Sequence, residues 1–185
     1  MAVERLGQRE LAIANIIRSI YIVLLIPVQA LSTAANTLVS NLIGAGGINW
    51  VMHLMKKIAK VSLAIVAVCI ILMAFFPQMF LSVYTNETAL LTESVPSLYV
   101  IGIAMLVAAV ANIYFNGISG TGNTQAALWL ESGTLVIYGI YVFIVGWWAQ
   151  APVAVCFTTE IVYYALLLVA SLIYLKKAKW QNKKI

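Results

Sequence analysis

Aspartate is absent from this chain, and glutamate occurs only six times in 185 residues. Histidine appears once and cysteine twice. Charged residues of both signs make up 9% of the sequence, against about 25% in an ordinary soluble domain. Each shortage closes a class of function. Cys69 and Cys156 stand apart inside apolar runs with no partner at metal-ligand spacing, so they read as small hydrophobes rather than as a disulfide or metal site. His53 lies in a basic interfacial segment and reads as solvated surface. There is no nucleophile–base constellation, no carboxylate pair at helical spacing and no cofactor fingerprint, which argues against an enzyme. The net charge is +5, but Lys and Arg stand in short runs between apolar stretches. That pattern marks membrane topology, not a nucleic-acid surface.

What the chain has in quantity is apolar length. Hydrophobic residues make up 63% of it and its mean hydropathy is +0.99. A helix needs about 20 mostly apolar residues to cross a hydrocarbon core of about 30 Å. Five stretches qualify: 11–43, 61–84, 98–118, 126–147 and 152–174, followed by a basic tail, 175–185. The expected fold is therefore all-α, one polytopic membrane bundle of about five helices joined by short connectors. The first stretch is too long for one perpendicular span and is expected to tilt or to kink at Pro27. It is also too long for a signal peptide and lacks a small-residue cleavage pattern. The second span is preceded by a basic amphipathic segment, Trp50 to Lys60.

Orientation follows from the lysines. Lys56, Lys57 and Lys60 precede the second span, and Lys176, Lys177, Lys179, Lys183 and Lys184 follow the fifth. Four spans separate the two groups, so both lie on one side, the cytoplasmic side of a cell membrane. The loop with Glu87 and Glu93 and the link around Gln150 then face outward. Trp147, Trp148 and Trp180 fall at span ends, where amphipathic rings prefer the interface. Five spans with the C-terminus inside put the N-terminus outside. Met1 to Glu10, with Arg5 and Arg9 against Glu4 and Glu10, reads as a loop following an earlier helix. The expectation is a fragment of a longer protein.

Intramembrane charges are the candidate site residues, because each costs at least about 2.5–3.5 kcal/mol at the bilayer centre unless paired or hydrated. Glu160 lies near the middle of the fifth span beside Thr158, Thr159, Tyr163 and Tyr164. Glu131 lies about five residues into the fourth span, and Arg18 in the outer half of the first, one turn from Asn15. Two readings stay open: the carboxylates bind a proton, a cation or a cationic substrate, or an internal Arg–Glu pair locks helices together. Gln29, Thr33, Asn36 and Ser40 are spaced four, three and four, which keeps them on one face of the first helix. Such a stripe faces other helices or a water-filled cavity rather than lipid. Ala30, Ser32, Ala34 and Ala35 would permit close packing there.

Three segments carry a family resemblance. Leu38 to Gly46 (LVSNLIGAG), with the basic segment after it, resembles the glycine-rich helix end of the multidrug and toxic compound extrusion (MATE) transporters. Phe80 to Glu87 (FLSVYTNE) is similar to the outer loop after the following helix in that family, and Asn116 to Thr124 (NGISGTGNT) to its inner connector. Their order resembles the C-terminal half, from the eighth helix to the twelfth. The resemblance implies one partial lobe of a two-lobed transporter, inactive alone, whose missing N-terminal lobe would be its partner. It also implies outward movement of cationic or amphipathic compounds in exchange for sodium or protons, with no other cofactor. Several members carry an acidic residue in the tenth helix about four turns before the connector. Here Ala108 stands there, so that ion site is not carried over and Glu160 and Glu131 are the remaining carboxylates. The alternatives are a lipid-linked oligosaccharide flippase of the same superfamily, whose cavity would be rich in Arg and Lys, and a non-transporting membrane subunit or degraded gene product.

Overall fold

A computed structural model describes residues 7–145 and 152–177. Trp147, Trp148, Gln150, Trp180 and Lys179, Lys183 and Lys184 lie outside the described residues. Among those described, all regular structure is helical. In chain order the helices are α1 (Gln8–Gly44), α2 (Val51–Phe75), α3 (Pro77–Ser82), α4 (Thr88–Gly120), α5 (Thr124–Phe143), α6 (Val153–Cys156) and α7 (Thr158–Lys177), with a single 3-10 turn at Ile48–Trp50. Five helical stretches are long and apolar enough to cross a membrane: Gln8–Gly44, Ile48–Phe75, Thr88–Gly120, Thr124–Phe143 and Val153–Lys177.

The helix bounds differ from those that hydropathy alone foretells. α1 continues through Pro27 for 37 residues, about 55 Å of helix. The basic segment from Val51 belongs to α2 itself, which stops at Phe75, because Pro77 cannot supply the next backbone donor and instead opens α3. α4 begins at Thr88, so Glu93, expected in a loop, is helical and pairs with Arg9 of α1 at 2.9 Å. The fifth stretch is divided at Phe157 between α6 and α7. There the Thr158 and Thr159 hydroxyls donate to the carbonyls of Val155 and Cys156 at 2.6 and 2.7 Å, bonds of the kind that compete with a continuous ladder.

α4 is the hub. It buries residues on all sides, including Leu98, Ile101, Met105, Ala109, Ile113 and Ile118, because α1, α2, α5 and α7 all pack on it. α1 buries one stripe, Ile13, Ile17, Ile20, Leu24, Val28, Ser32, Ala35 and Val39, at helical spacing. Of its small residues, Ser32 and Ala35 face the bundle while Ala30 and Ala34 are exposed. α5 buries only Ala127 and Thr134 and exposes Leu128, Trp129, Val136 and Phe143. In lipid that exposure is cheap, since acyl chains are as apolar as leucine.

Two glycines set the shape at one end. Gly46 adopts φ +80 just beyond α1, and the amides of Gly46 and Gly47 bond back to the carbonyls of Ile43 and Leu42 at 2.9 and 2.8 Å. This is a Schellman ending, which needs the left-handed residue that glycine supplies without strain. Gly120 lets α4 meet α1 backbone to backbone: a Cβ there would stand 2.5 Å from the Asn36 carbonyl oxygen. The Ser40 hydroxyl donates to the Gly120 carbonyl at 2.9 Å across the same crossing. This end, where α1 gives way to α2, also holds the C-terminal turn of α7: Leu175 packs with Val39, Val51 and Ile113. Lys56, Lys57, Lys60, Lys176 and Lys177 therefore share one end of the bundle.

Candidate functional site

Glu160 is the third residue of α7, and Tyr163 and Tyr164 follow it by one turn. α7 packs against α4 and α5, α1 packs against α4 as well, and the Glu160 carboxylate reaches α1. The Tyr21 hydroxyl of α1 donates to Glu160 Oε2 at 3.0 Å, and its oxygen stands 2.7 Å from the Tyr164 hydroxyl. Tyr164 is buried and also lies within reach of Asn112 of α4. The Asn112 amide is anchored by donating to the Ala108 carbonyl at 3.0 Å. Ala108 itself, where an acidic residue stands in several MATE members, is fully buried packing.

Glu131 joins from α5. The Tyr163 hydroxyl donates to Glu131 Oε1 at 2.6 Å, a short bond of the charge-assisted kind. Tyr138 lies two turns along α5 from Glu131 on the same face, within reach of Glu160 and Thr159. Its ring meets Tyr163 edge-on with centroids 5.5 Å apart, and Tyr163 meets Tyr164 in the same way at 5.0 Å. The two carboxylates are thus joined through a layer of four tyrosines from three helices. No local spacing signals this pair, because the two residues sit on different helices.

Among the described residues the cluster contains no cation. Among the described residues the one side-chain ion pair is Arg9–Glu93, half-exposed and remote from Glu160 and Glu131 in the fold. Arg18 points out of the bundle and makes no ion pair with either carboxylate. Of the two readings left open, an Arg18–Glu lock does not form among the described residues; tyrosine hydroxyls bond both carboxylates instead. The reason is rotational: Tyr21 lies at the edge of the α1 packing stripe, whereas Arg18, three residues earlier, lies about 60° further round toward the exposed side.

Gln29, Thr33, Asn36 and Ser40 form a separate feature. Each follows a buried residue (Val28, Ser32, Ala35, Val39) by one position, so the stripe is rotated about 100° from the packed face. Gln29, Thr33 and Ser40 are exposed and Asn36 partly so. The structure brings Glu160 and Glu131 together and leaves Arg18, Gln29 and Asn36 along the outer flank of α1. Tyr21, Tyr138 and Asn112 were not legible as site residues. Only Tyr138, seven residues from Glu131, had a signal in its spacing.

Among the described residues no group of three His, Cys or Glu side chains converges as a metal site. Glu160, Glu131 and the tyrosine oxygens offer only oxygen ligands, which suit a proton or a hard monovalent cation. Compared with known families, residues 1–137 match the MatE family. The matched part runs from α1 into α5, and includes Tyr21, Asn112 and Glu131; Tyr138 and all of α7 lie beyond it. Neither the curated proteins nor the solved structures contain a match to the chain.

Proposed function

The chain belongs to the MatE family of membrane transporters, and from that premise we propose that it forms part of a secondary active efflux transporter. Its cargo is cationic or amphipathic, and the exchanged ion is sodium or a proton. The observation that carries this reading is the pair of carboxylates held by tyrosines with no basic partner among the described residues. Two negative charges in a low-dielectric span are costly unless something positive arrives. A proton, a sodium ion or a cationic head group would each supply it. The tyrosine rings add faces on which an amphipathic cation is attracted. Because one acidic cluster cannot hold ion and cargo together at full occupancy, each would expel the other, which is the condition for exchange.

The same reading gives α1's outer flank a role. Arg18, Gln29 and Thr33 are polar, lie in a span and are left uncovered by this chain. Polar groups at that depth face protein or water. We assign this flank to a cavity shared with an N-terminal lobe, making this chain most of the C-terminal lobe, with its lysine-bearing end and C-terminus in the cytoplasm. A flippase cavity would instead be rich in Arg and Lys, and among the described residues Arg18 is the one cation along this flank.

The test is binding of a fluorescent cationic dye to the purified chain, followed by polarisation at fixed pH and sodium concentration. Glu160→Gln lowers affinity about ten-fold, worth about 1.4 kcal/mol, and abolishes competition by sodium or protons. Unchanged dye affinity and unchanged competition in both Glu160→Gln and Glu131→Gln would remove the cluster from the mechanism.

A further inference from the structure

A groove of about 380 Å³ opens between α2 and α4 at the lysine-bearing end of the bundle. One wall is a stripe of α2: His53, Lys56, Lys57 and Lys60 recur at i, i+3, i+4 and i+7, so all four share a face. Leu63 continues that wall one turn deeper, and Tyr114 and Val110 of α4 close the other side. The three lysines are exposed and none forms an ion pair among the described residues. Among the described residues, the carboxylates elsewhere do not compensate them. Glu131 and Glu160 are engaged by tyrosines, while Glu10, Glu87 and Glu93 belong to the opposite end.

Lysines beside a polar membrane surface would satisfy a topology rule without any groove. What they would not produce is a cavity whose polar rim passes into an apolar floor of Ala59, Leu63 and Val110 that runs into the span. That sequence of surfaces, cationic then aliphatic, matches the two parts of one lipid molecule. Trp50, 65% exposed, stands edge-on to His53 with ring centroids 5.9 Å apart, and marks the interfacial level at the rim.

We propose that this groove is a binding site for one anionic phospholipid, its phosphate held by Lys56, Lys57 and Lys60 and one acyl chain lying along Leu63 and Val110. The occupant is a lipid rather than a free anion because the floor is aliphatic and open toward the hydrocarbon. The proposal does not depend on transport activity.

Native mass spectrometry of the purified chain, offered phosphatidylglycerol and phosphatidylcholine in equal amounts, reads the site directly. The anionic lipid is retained about a hundred-fold over the zwitterionic one. With each lysine near an anionic group worth about five-fold, the triple variant Lys56→Gln, Lys57→Gln, Lys60→Gln loses about a hundred-fold and falls to the phosphatidylcholine level. Lys176→Gln with Lys177→Gln, basic residues at the same end but outside the groove, changes retention by less than about two-fold. Leu63→Trp keeps every charge but fills the floor from an exposed position, and it also lowers retention about ten-fold, which decides the matter if the triple variant fails to fold. Equal retention of the two lipids, an unaffected triple or Leu63 variant, or an equal loss in the Lys176–Lys177 control would overturn the proposal. Displacement of the lipid by inorganic phosphate would overturn it too, by showing a site for a free anion.

Discussion

The acidic cluster between α1, α5 and α7 and the basic groove between α2 and α4 are two places where this sparsely charged chain sets charge of one sign, and the two are built in opposite ways. Glu160 and Glu131 have short side chains and lie within the spans, so they cannot reach water by extension; each is met instead by a tyrosine hydroxyl, at 3.0 and 2.6 Å. Lys56, Lys57 and Lys60 have long stems that lie along apolar surface while the ammonium reaches the aqueous rim. One sign is retained inside by hydrogen bonds, and the other is retained outside by geometry. Between them the chain keeps its charges apart, and what it leaves unpaired on each side defines what that side attracts: a cation within, an anion at the rim.

Placing a cation inside the acidic cluster breaks that separation most severely. Tyr138→Lys puts an amine beside Glu160, and cationic-dye affinity should fall about 100-fold, roughly 2.8 kcal/mol, with the helical content unchanged by circular dichroism. If the dye still binds normally, the carboxylates are not its receptor. A smaller change sharpens the comparison. Tyr21→Phe removes the donor to Glu160 and the partner of Tyr164 without changing volume much. Its cost in resistance to denaturant should be about 1.5–3 kcal/mol, the range for a hydrogen bond to a charged acceptor. A cost below about 0.5 kcal/mol would mean that the bond contributes nothing to holding α1 against α7. The smallest effect belongs to the place where the two signs do meet. Arg9 and Glu93 are 54% and 46% exposed, so Arg9→Ala should cost less than about 1 kcal/mol, and less still as salt is raised.

Much of this could be read in advance, and the reasons differ from residue to residue. The five apolar stretches were plain because a bilayer demands length and hydropathy together. Helix ends were harder. α2 begins at Val51, inside a run containing Lys56, Lys57 and Lys60, because long cationic side chains allow a helix to continue beyond the hydrocarbon. α4 starts at Thr88 and so takes in Glu93, which meets Arg9 of α1. Glycines 117 and 120, expected in a connector, belong to α4. Gly120 serves close approach to Asn36, and Gly117 accommodates Met55, which a Cβ would overlap. Only Thr121, Gly122 and Asn123 connect α4 to α5. Glu160 and Glu131 stood out by the cost of burying a carboxylate, whereas Tyr21 gave no sign, since an aromatic residue in a membrane helix has many ordinary uses.

The sequence by itself determined that this chain is a bundle of helices able to cross a membrane, that it is rich in lysine at particular helix ends, and that two glutamates need a partner or a ligand. Those conclusions rest on local quantities, the number of apolar residues in a row and the cost of a charge among them. Which residues meet was decided only by the tertiary structure. Tyr21 and Glu160 are 139 residues apart, and Tyr163 and Glu131 are 32 apart. In water an amphipathic stripe tells which face of a helix packs inward. In lipid both faces are apolar, as α5 shows, so hydropathy does not point a helix toward its neighbours. Packing of small and large side chains around α4 makes that choice, and with it places two carboxylates and four tyrosines in one cluster, with no cation among the described residues.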